Sequence, residues 1–265
     1  MTPSRSPDLS AEEQTERERH DVMYAEERAK VDDLTMVPWD WEKFDEPDDG
    51  RSAYFTSLHW LGDVRGKTVL DMGCGTGWFS VILAKRGAAR VDGFDISGEA
   101  VKLAAERAEA NGVADICTFK EGSAYEIPFP DDTYDVVAGQ AIIHHLRNKE
   151  VTAQEIDRVM KSGGVAAFNE PLGDSDTLER LRQLLPFRSD TDDPDHWKDK
   201  VAMDQLAPFN QRFDVRVKTF ELLFNFSRYA RFLEGPLAAL DKAILSGVPP
   251  MRKFARGIVI GLRKP

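Results

Sequence analysis

A strand-like run followed at once by a glycine-rich turn is the feature that most constrains this chain. The segment "VLDMGCGTGWFS", residues 69–80, passes from apolar residues through Gly73, Gly75 and Gly77 into a second apolar stretch that favours a helix. Closely spaced glycines let the backbone turn sharply and approach a ligand. In strand–turn–helix order, this pattern is typical of a nucleotide or nucleoside site in an α/β fold.

From Lys67 onward, strand-like and helix-like segments alternate along the chain. The predicted helices begin at Trp78, Ser97 and Thr152, and the predicted strands are 67–73, 89–96, 116–122, 134–140, 163–171, 214–224 and 255–264. Such alternation predicts βαβ units and a mostly parallel sheet. We therefore expect the ligand crevice at the carboxyl ends of the strands.

Two regions stand outside this alternation. Residues 1–50 contain sixteen Asp and Glu against six Lys and Arg, so they hold nearly all of the net charge of −11. We predict that they form an acidic helical arm with a disordered beginning and a capping box of Ser10 and Glu13. Residues 51–265 are predicted to form the main domain, in which residues 172–212 are either a lid over the crevice or a plain connection.

Composition and charge exclude several classes of function. An acidic chain without a basic stripe is poorly suited to a nucleic-acid backbone. No apolar run approaches the roughly 20 residues of a membrane span, and the N terminus lacks the apolar core of a secretory signal. Two cysteines, Cys74 and Cys117, are too few for a disulfide framework. The expectation is a reduced, cytoplasmic monomer or homodimer.

Two aspartates narrow the choice of nucleoside. A dinucleotide fingerprint needs a third glycine where this chain has Trp78, and no Gly-Lys-Ser/Thr follows to make a P-loop. Asp71, two residues before Gly73, would repel a pyrophosphate but suits a ligand with a cationic end. Asp95 ends the second predicted strand, 22 residues after Gly73, where a carboxylate can accept both hydroxyls of a ribose. S-adenosylmethionine combines these parts.

On these residues the chain resembles the class I S-adenosylmethionine-dependent methyltransferases, especially the small-molecule branch that includes the ubiquinone and menaquinone methyltransferases. The similarity runs in order over 67–171 through "VLDMGCGTG", "VDGFDIS", "EGSAYEIPFPDDTYDVV" and "EIDRVMKSGGVAAFNEP". The resemblance implies a Rossmann-like α/β fold with a seven-stranded, mostly parallel sheet and helices on both faces. It also implies in-line transfer of a methyl group to a small organic acceptor, which leaves S-adenosylhomocysteine.

The same resemblance implies which residues contact the cofactor. The implied contacts with the methionine part are Asp71, Gly73, Cys74, Gly75, Thr76, Gly77, Gln140 and Ala141. The implied contacts with the adenosine part are Asp95, Ile96, Ser123 and Ala124. Asp71 would bind the amino group, directly or through water. Ser123 stands where the family often has Asp, and its hydroxyl is a weaker acceptor for the adenine amino group.

Candidate residues for the methyl acceptor follow the fourth and fifth predicted strands. The segment "GQAIIHHL" lacks the (Asp/Asn)-Pro-Pro-(Tyr/Phe) motif of methyltransferases that act on nucleic-acid amines, which favours a small molecule. His144, His145 and Glu170 are candidate bases or acceptor contacts, with capping or hydrogen bonding in the core as the alternative. The aromatic residues expected to line the acceptor pocket are Tyr24, Trp39, Trp41, Phe187 and Trp197. For Trp39 and Trp41, the alternative is that they anchor the arm.

Three further expectations concern other chemistry. The five histidines show no spacing typical of metal ligands, so no metal site is expected. A non-catalytic protein that binds S-adenosylmethionine as a sensor or scaffold would keep the same glycine turn and aspartates. An NAD(P)-dependent reductase would share the turn, although Trp78 and Asp71 disfavour it.

Overall fold

The computed structural model describes residues 9–42, 52–173, 200–223, 232 and 234–265. Its strands are β1 (Thr68–Met72), β2 (Arg90–Asp95), β3 (Cys117–Glu121), β4 (Tyr134–Gln140), β5 (Met160–Pro171), β6 (Asp214–Phe220) and β7 (Gly257–Arg263). Its α-helices are α1 (Ala11–Lys30), α2 (Trp39–Glu42), α3 (Ala53–Leu61), α4 (Trp78–Lys85), α5 (Gly98–Ala110), α6 (Lys149–Val159), α7 (Ala207–Asn210) and α8 (Glu234–Gly247). Shorter 3-10 turns span Ile143–His145, Met203–Leu206 and Pro249–Phe254.

The described strands form one seven-stranded sheet with the order β3-β2-β1-β4-β5-β7-β6. β1 to β5 are parallel, and β7 runs antiparallel between β5 and β6. This confirms the predicted Rossmann-like, mostly parallel sheet. The strand order reverses between β1 and β4, where Met72 pairs with Gly139. A crevice therefore opens beyond the carboxyl ends of β1 and β4, as such reversals produce.

Helices cover both faces of the sheet, as a buried parallel sheet requires. Successive strand residues point to opposite faces. Val69 packs in an apolar cluster with α3 and α4, whereas Leu70 packs in a second cluster with α6 and α8. Both side chains are fully buried. Among the described helices, none combines the length and apolar character that a membrane span requires.

The arm contributes a long helix rather than a loose extension. The predicted capping box is present, since the Ser10 hydroxyl accepts from the Glu13 N–H and the Glu13 carboxylate accepts from the Ser10 N–H. The helix α1 that follows has 20 residues. It is fixed to the domain by charged contacts, among them Arg17 to Glu121 at 2.9 Å and Arg28 to Glu106 at 2.7 Å.

The segment predicted as a lid or a connection is only partly described. Leu172 bridges to Val201, and both are fully buried. Phe209, on α7, is also buried in the core. The described end of the segment therefore belongs to the body of the domain. Residues 174–199, which include Phe187 and Trp197, lie outside the described residues, so a lid there stays a prediction.

Candidate active site

A large cleft lies at the carboxyl ends of the central strands, below α1. Its volume is about 970 Å³, at the upper end of the range for small-molecule sites. The lining comes from the turn after β1, the end of β2, the segments after β3 and β4, the end of β5, and one face of α1. The arm is therefore a wall of the cleft.

The three glycines after β1 have different packing roles. All have positive φ values of 48° to 73°, which favour glycine. A Cβ atom on Gly73 would lie 2.7 Å from Ile142 Cδ1, and one on Gly75 would lie 2.9 Å from the Tyr24 hydroxyl. A Cβ atom on Gly77 would lie 2.8 Å from the Ala104 Cα. Thus Gly73 and Gly75 keep the turn open towards the cleft wall, whereas Gly77 allows close packing on α5.

Asp95 places a carboxylate in the floor of the cleft. Its Oδ2 accepts from the Gly75 N–H at 2.9 Å, and its Oδ1 accepts from the Ser97 N–H at 3.0 Å. Burial raises the pKa of Asp95, and these hydrogen bonds oppose the rise. Each carboxylate oxygen has a second lone pair, so both can accept a further donor. The arrangement fits the paired hydroxyls of a ribose.

Asp71 lies behind the turn rather than in the cleft lining. It is 1% exposed, and the Ser80 hydroxyl donates to its Oδ2 at 2.5 Å. Burial raises the pKa of Asp71 to about 7, although the hydrogen bond from Ser80 opposes the rise. The two predicted ways for Asp71 to bind a ligand amino group, directly or through water, both stay predictions.

The buried Asp71 carboxyl should make stability depend on pH. A carboxyl whose pKa is higher in the folded state loses stabilisation as the pH rises from 3.8 through 7. We expect the free energy of unfolding of Asp71→Asn, relative to that of the unmodified protein, to rise by about 2–3 kcal/mol when the pH is raised from 4.5 to 8. Urea unfolding without cofactor at both pH values measures this. The surface variant Asp115→Asn is the control, and an equal difference at both pH values would contradict the prediction.

The predicted adenosine contacts meet at one side of the cleft. Ile96 and Ala124 line it. Ser123 is buried, accepts from the Tyr125 N–H at 3.0 Å and donates its hydroxyl to Glu13 of α1. The arm thus brings a carboxylate to the position where Ser123 replaces the acidic residue. Sequence reasoning placed Glu13 only in a helix cap, because one Glu in an acidic arm carries no signal of a contact 110 residues away.

The opposite side of the cleft follows β4. The Gln140 Oε1 accepts from the Asn169 Nδ2 at 3.2 Å, while the Gln140 side-chain nitrogen is buried without a hydrogen-bond partner. Ala141 has a φ of 56°, and its N–H donates to the Asn169 carbonyl at 2.9 Å. An unpaired amide donor beside the glycine turn suits the carboxylate of an amino-acid ligand. The donors and acceptors of the cleft therefore fit the two ends of S-adenosylmethionine.

Glu170 supports the turn after β4 from below. Its Oε1 accepts from the Ile142 and Ile143 N–H groups, both at 2.9 Å. Its Oε2 accepts from the His144 N–H at 3.3 Å and lies 2.8 Å from His144 Nδ1. Glu170 is 2% exposed and His144 is 9% exposed. This pair is thus hydrogen-bonded in the core, and both residues also line the cleft, so their contact with an acceptor stays a prediction.

His145 is the histidine of the pair with its ring towards the arm. Its Nδ1 lies 3.0 Å from Glu16 Oε1, and His20 Nε2 lies 3.2 Å from the same oxygen. All three residues line the cleft. The contact with His145 lowers the pKa of Glu16 to about 2. Sequence reasoning missed Glu16 and His20, because their place depends on how α1 docks.

The predicted aromatic pocket is only partly realised. Tyr24 lines the cleft, and Tyr54 of α3 lines it too. Trp41 is a correction, because it packs in the apolar cluster around α4, with Lys85 Nζ 5.3 Å from its ring centre. It anchors the arm, which was the stated alternative. The side chain of Trp39 lies outside what the structure describes.

Comparison with known proteins agrees with this geometry. A family model described as a methyltransferase domain matches residues 70–168. Sterol 24-C-methyltransferase ERG6B of Gibberella zeae is 34% identical over 48% of this chain and 34% of its own. The 2-methyl-6-phytyl-1,4-hydroquinone methyltransferase of Synechocystis sp. is 41% identical over 38% of this chain and 30% of its own. The chain therefore spans about a third of the length of these relatives.

A solved structure extends the likeness in fold to nearly the whole chain. Geranyl diphosphate C-methyltransferase of Streptomyces coelicolor A3(2) superposes with a TM-score of 0.64 and 12% identity, over 98% of this chain and 100% of that one. The sheet order, the glycine turn and the segment matched by the family model all indicate the same kind of domain. Residues 70–168 are thus a methyltransferase domain of the class I, S-adenosylmethionine-dependent type, set in a chain with the fold of that class.

Proposed function

We propose that this chain binds S-adenosylmethionine in the cleft and transfers its methyl group to a small organic acceptor. The observation that carries the proposal is the Asp95 carboxylate in the cleft floor, tied to the Gly75 N–H of a positive-φ turn at the strand-order reversal. The match of residues 70–168 to a methyltransferase domain supports it.

We assign a place in the cleft to each part of the cofactor. Asp95 accepts from the ribose hydroxyls, and adenine lies between Ile96 and Ala124. The amino-acid end lies by Gly73, where the unpaired Gln140 amide donates to its carboxylate. The bound cofactor supplies a methyl group on a positively charged sulfur, and methyl transfer is an in-line displacement that neutralises this charge.

The protein's own task is alignment and exclusion of water. Helix α1 closes one side of the cleft, and Glu170 fixes the backbone of 142–144 so that the turn after β4 keeps its shape. We assign Glu170 and His144 to positioning, because their polar groups are buried and bonded to each other. Of the three candidates for contact with the acceptor, we therefore retain His145, whose side chain is 18% exposed.

The acceptor end of the cleft mixes apolar and polar groups. Met23, Tyr24 and Tyr54 offer apolar surface, and Glu16, His20 and His145 form a polar group beside them. This pairing suits an acceptor with an apolar body and one polar atom to be methylated. The names of the two relatives, a sterol and a hydroquinone methyltransferase, are compatible with that class.

Two measurements test the proposal. Calorimetry should show binding of S-adenosylmethionine and S-adenosylhomocysteine but not of NADH. Incubation with methyl-labelled S-adenosylmethionine and a panel of sterols, hydroquinones and small amines should then label at least one acceptor class, with heat-denatured protein as the control. Binding without transfer to any acceptor would favour the sensor or scaffold alternative, and absence of cofactor binding would overturn the proposal.

A further inference from the structure

Three side chains of types that bind metals, from two distant parts of the sequence, meet beside the cleft. Glu16 and His20 lie one turn apart on α1, and His145 lies in the 3-10 turn after β4. One ligand atom from each lies within 4.8 Å of the other two. The His20 and His145 rings are nearly perpendicular, with centres 5.4 Å apart. The histidines lack the sequence spacing typical of metal ligands, but the packing of α1 on the domain brings these residues together.

The two histidine nitrogens lie close to one shared carboxylate oxygen. The buried Glu16 Oε1 lies 3.2 Å from His20 Nε2 and 3.0 Å from His145 Nδ1. Metal–ligand bonds of roughly 2.0–2.2 Å place neighbouring ligand atoms about 3.0–3.5 Å apart. Both nitrogen–oxygen distances fall in that range.

We propose that Glu16, His20 and His145 bind a first-row divalent metal ion, with Zn²⁺ as the best match. Two imidazole nitrogens and one carboxylate oxygen are a donor set that Zn²⁺ accepts, and three protein ligands leave a coordination position open. The three residues line the cleft, so we assign the open position to the cleft side.

The surroundings support this use of the three side chains. The His144 and His145 rings lie side by side, with centres 3.9 Å apart and planes tilted by 40°, and His144 is itself held by Glu170. Glu170 thus holds the His144 ring and the backbone just before His145. Contacts of this kind around a metal site orient the side chains that bind the metal.

A bound ion would connect the arm to the methyl-acceptor end of the cleft. It would join α1 to the turn after β4 and so hold the cleft closed. This next step rests on the proposed function. An acceptor hydroxyl on the open position would lose its proton to solvent more readily. The new oxygen–carbon bond would then form as the carbon–sulfur bond of the cofactor breaks.

The test begins with full-length protein stripped by a chelator and titrated with Zn²⁺ alone. Calorimetry should show one site, and Co²⁺ in its place should give the visible absorption of a four- or five-coordinate ion. Glu16→Gln, His20→Gln and His145→Gln should each weaken Zn²⁺ binding by roughly tenfold or more. His59→Gln is the matched control, because His59 lies on α3 with its ring bonded to the Phe55 carbonyl.

The outcomes separate this inference from the proposed function. Circular dichroism checks that each variant is folded, and S-adenosylmethionine binding is measured on the chelated protein without metal. If Zn²⁺ does not bind, or binds equally in the three variants, the metal site is rejected while cofactor binding still stands. If Zn²⁺ binds as expected but S-adenosylmethionine does not, the metal site holds and the proposed function fails.

Discussion

Replacement of Glu170 by alanine is expected to lower the free energy of unfolding by about 3–5 kcal/mol. The carboxylate accepts from three consecutive backbone N–H groups, of Ile142, Ile143 and His144, and also contacts the His144 ring. Glu170 is 2% exposed, so water cannot replace these bonds without a change in structure. Alanine would leave several donors buried and unpaired, which costs more than the net gain from forming the bonds.

Glu170→Gln provides a graded second variant in case the alanine variant does not fold. The glutamine oxygen can keep one pair of N–H donors, but its amide nitrogen would face the remaining donors. We expect a loss of about 1–3 kcal/mol. Urea unfolding measures both variants, with Glu109→Ala on the exposed face of α5 as the control. A loss no larger than that of Glu109→Ala would contradict the supporting role.

Glu170 also shows why site roles are harder to predict than positions. The sequence placed it at the end of the fifth strand, where the structure has it. Whether a carboxylate at that place acts as a base or holds a turn depends on the backbone after β4. The sequence does not show that three N–H groups converge there, because the 142–144 turn is 26 to 28 residues away along the chain.

The fold was predictable where local signals agree. The predicted strand 134–140 matches β4. Ser97, where a helix was predicted to begin, caps α5, with its hydroxyl accepting from the Ala100 N–H at 3.1 Å. The fifth strand was predicted to begin at residue 163 but begins at Met160, which pairs with Tyr134. A register shift between Tyr134 and Val136 and the positive φ of Gly163 accompany this earlier start.

The position of the arm is the part of the fold that the sequence predicts least well. Its helix was predictable from the capping box, but its position over the cleft was not. That position depends on pairings between distant charged and polar groups, such as the Ser97 hydroxyl donating to Asp21 at 2.5 Å. In an arm with sixteen acidic residues, no local pattern singles out the few that make such contacts. Trp41, for which a pocket wall and an anchor of the arm were both left open, packs as an anchor in the apolar cluster around α4.

The cofactor site makes the second large prediction, which concerns Asp95. We expect Asp95→Ala to weaken S-adenosylmethionine binding by about 1.5–3 kcal/mol, or roughly 10- to 150-fold, because the ribose hydroxyls lose a charged acceptor. The Gly75 and Ser97 N–H groups also lose their partner, so the turn should become less ordered. Asp95→Asn keeps one carbonyl oxygen and is expected to give a smaller loss.

Calorimetric titration with S-adenosylmethionine measures the affinity of each folded variant, and the matched control is Asp92→Asn. Asp92 is fully buried on the same strand and is held by Arg90 and by the Tyr134 hydroxyl, away from the cleft lining. This control should lower the free energy of unfolding and leave cofactor affinity unchanged. Asp95→Ala should lower both. Unchanged affinity in Asp95→Ala would mean that the ribose does not bind at the end of β2. Equal losses of affinity in Asp95→Ala and Asp92→Asn would mean that affinity follows the general stability of the fold rather than a contact with the ribose.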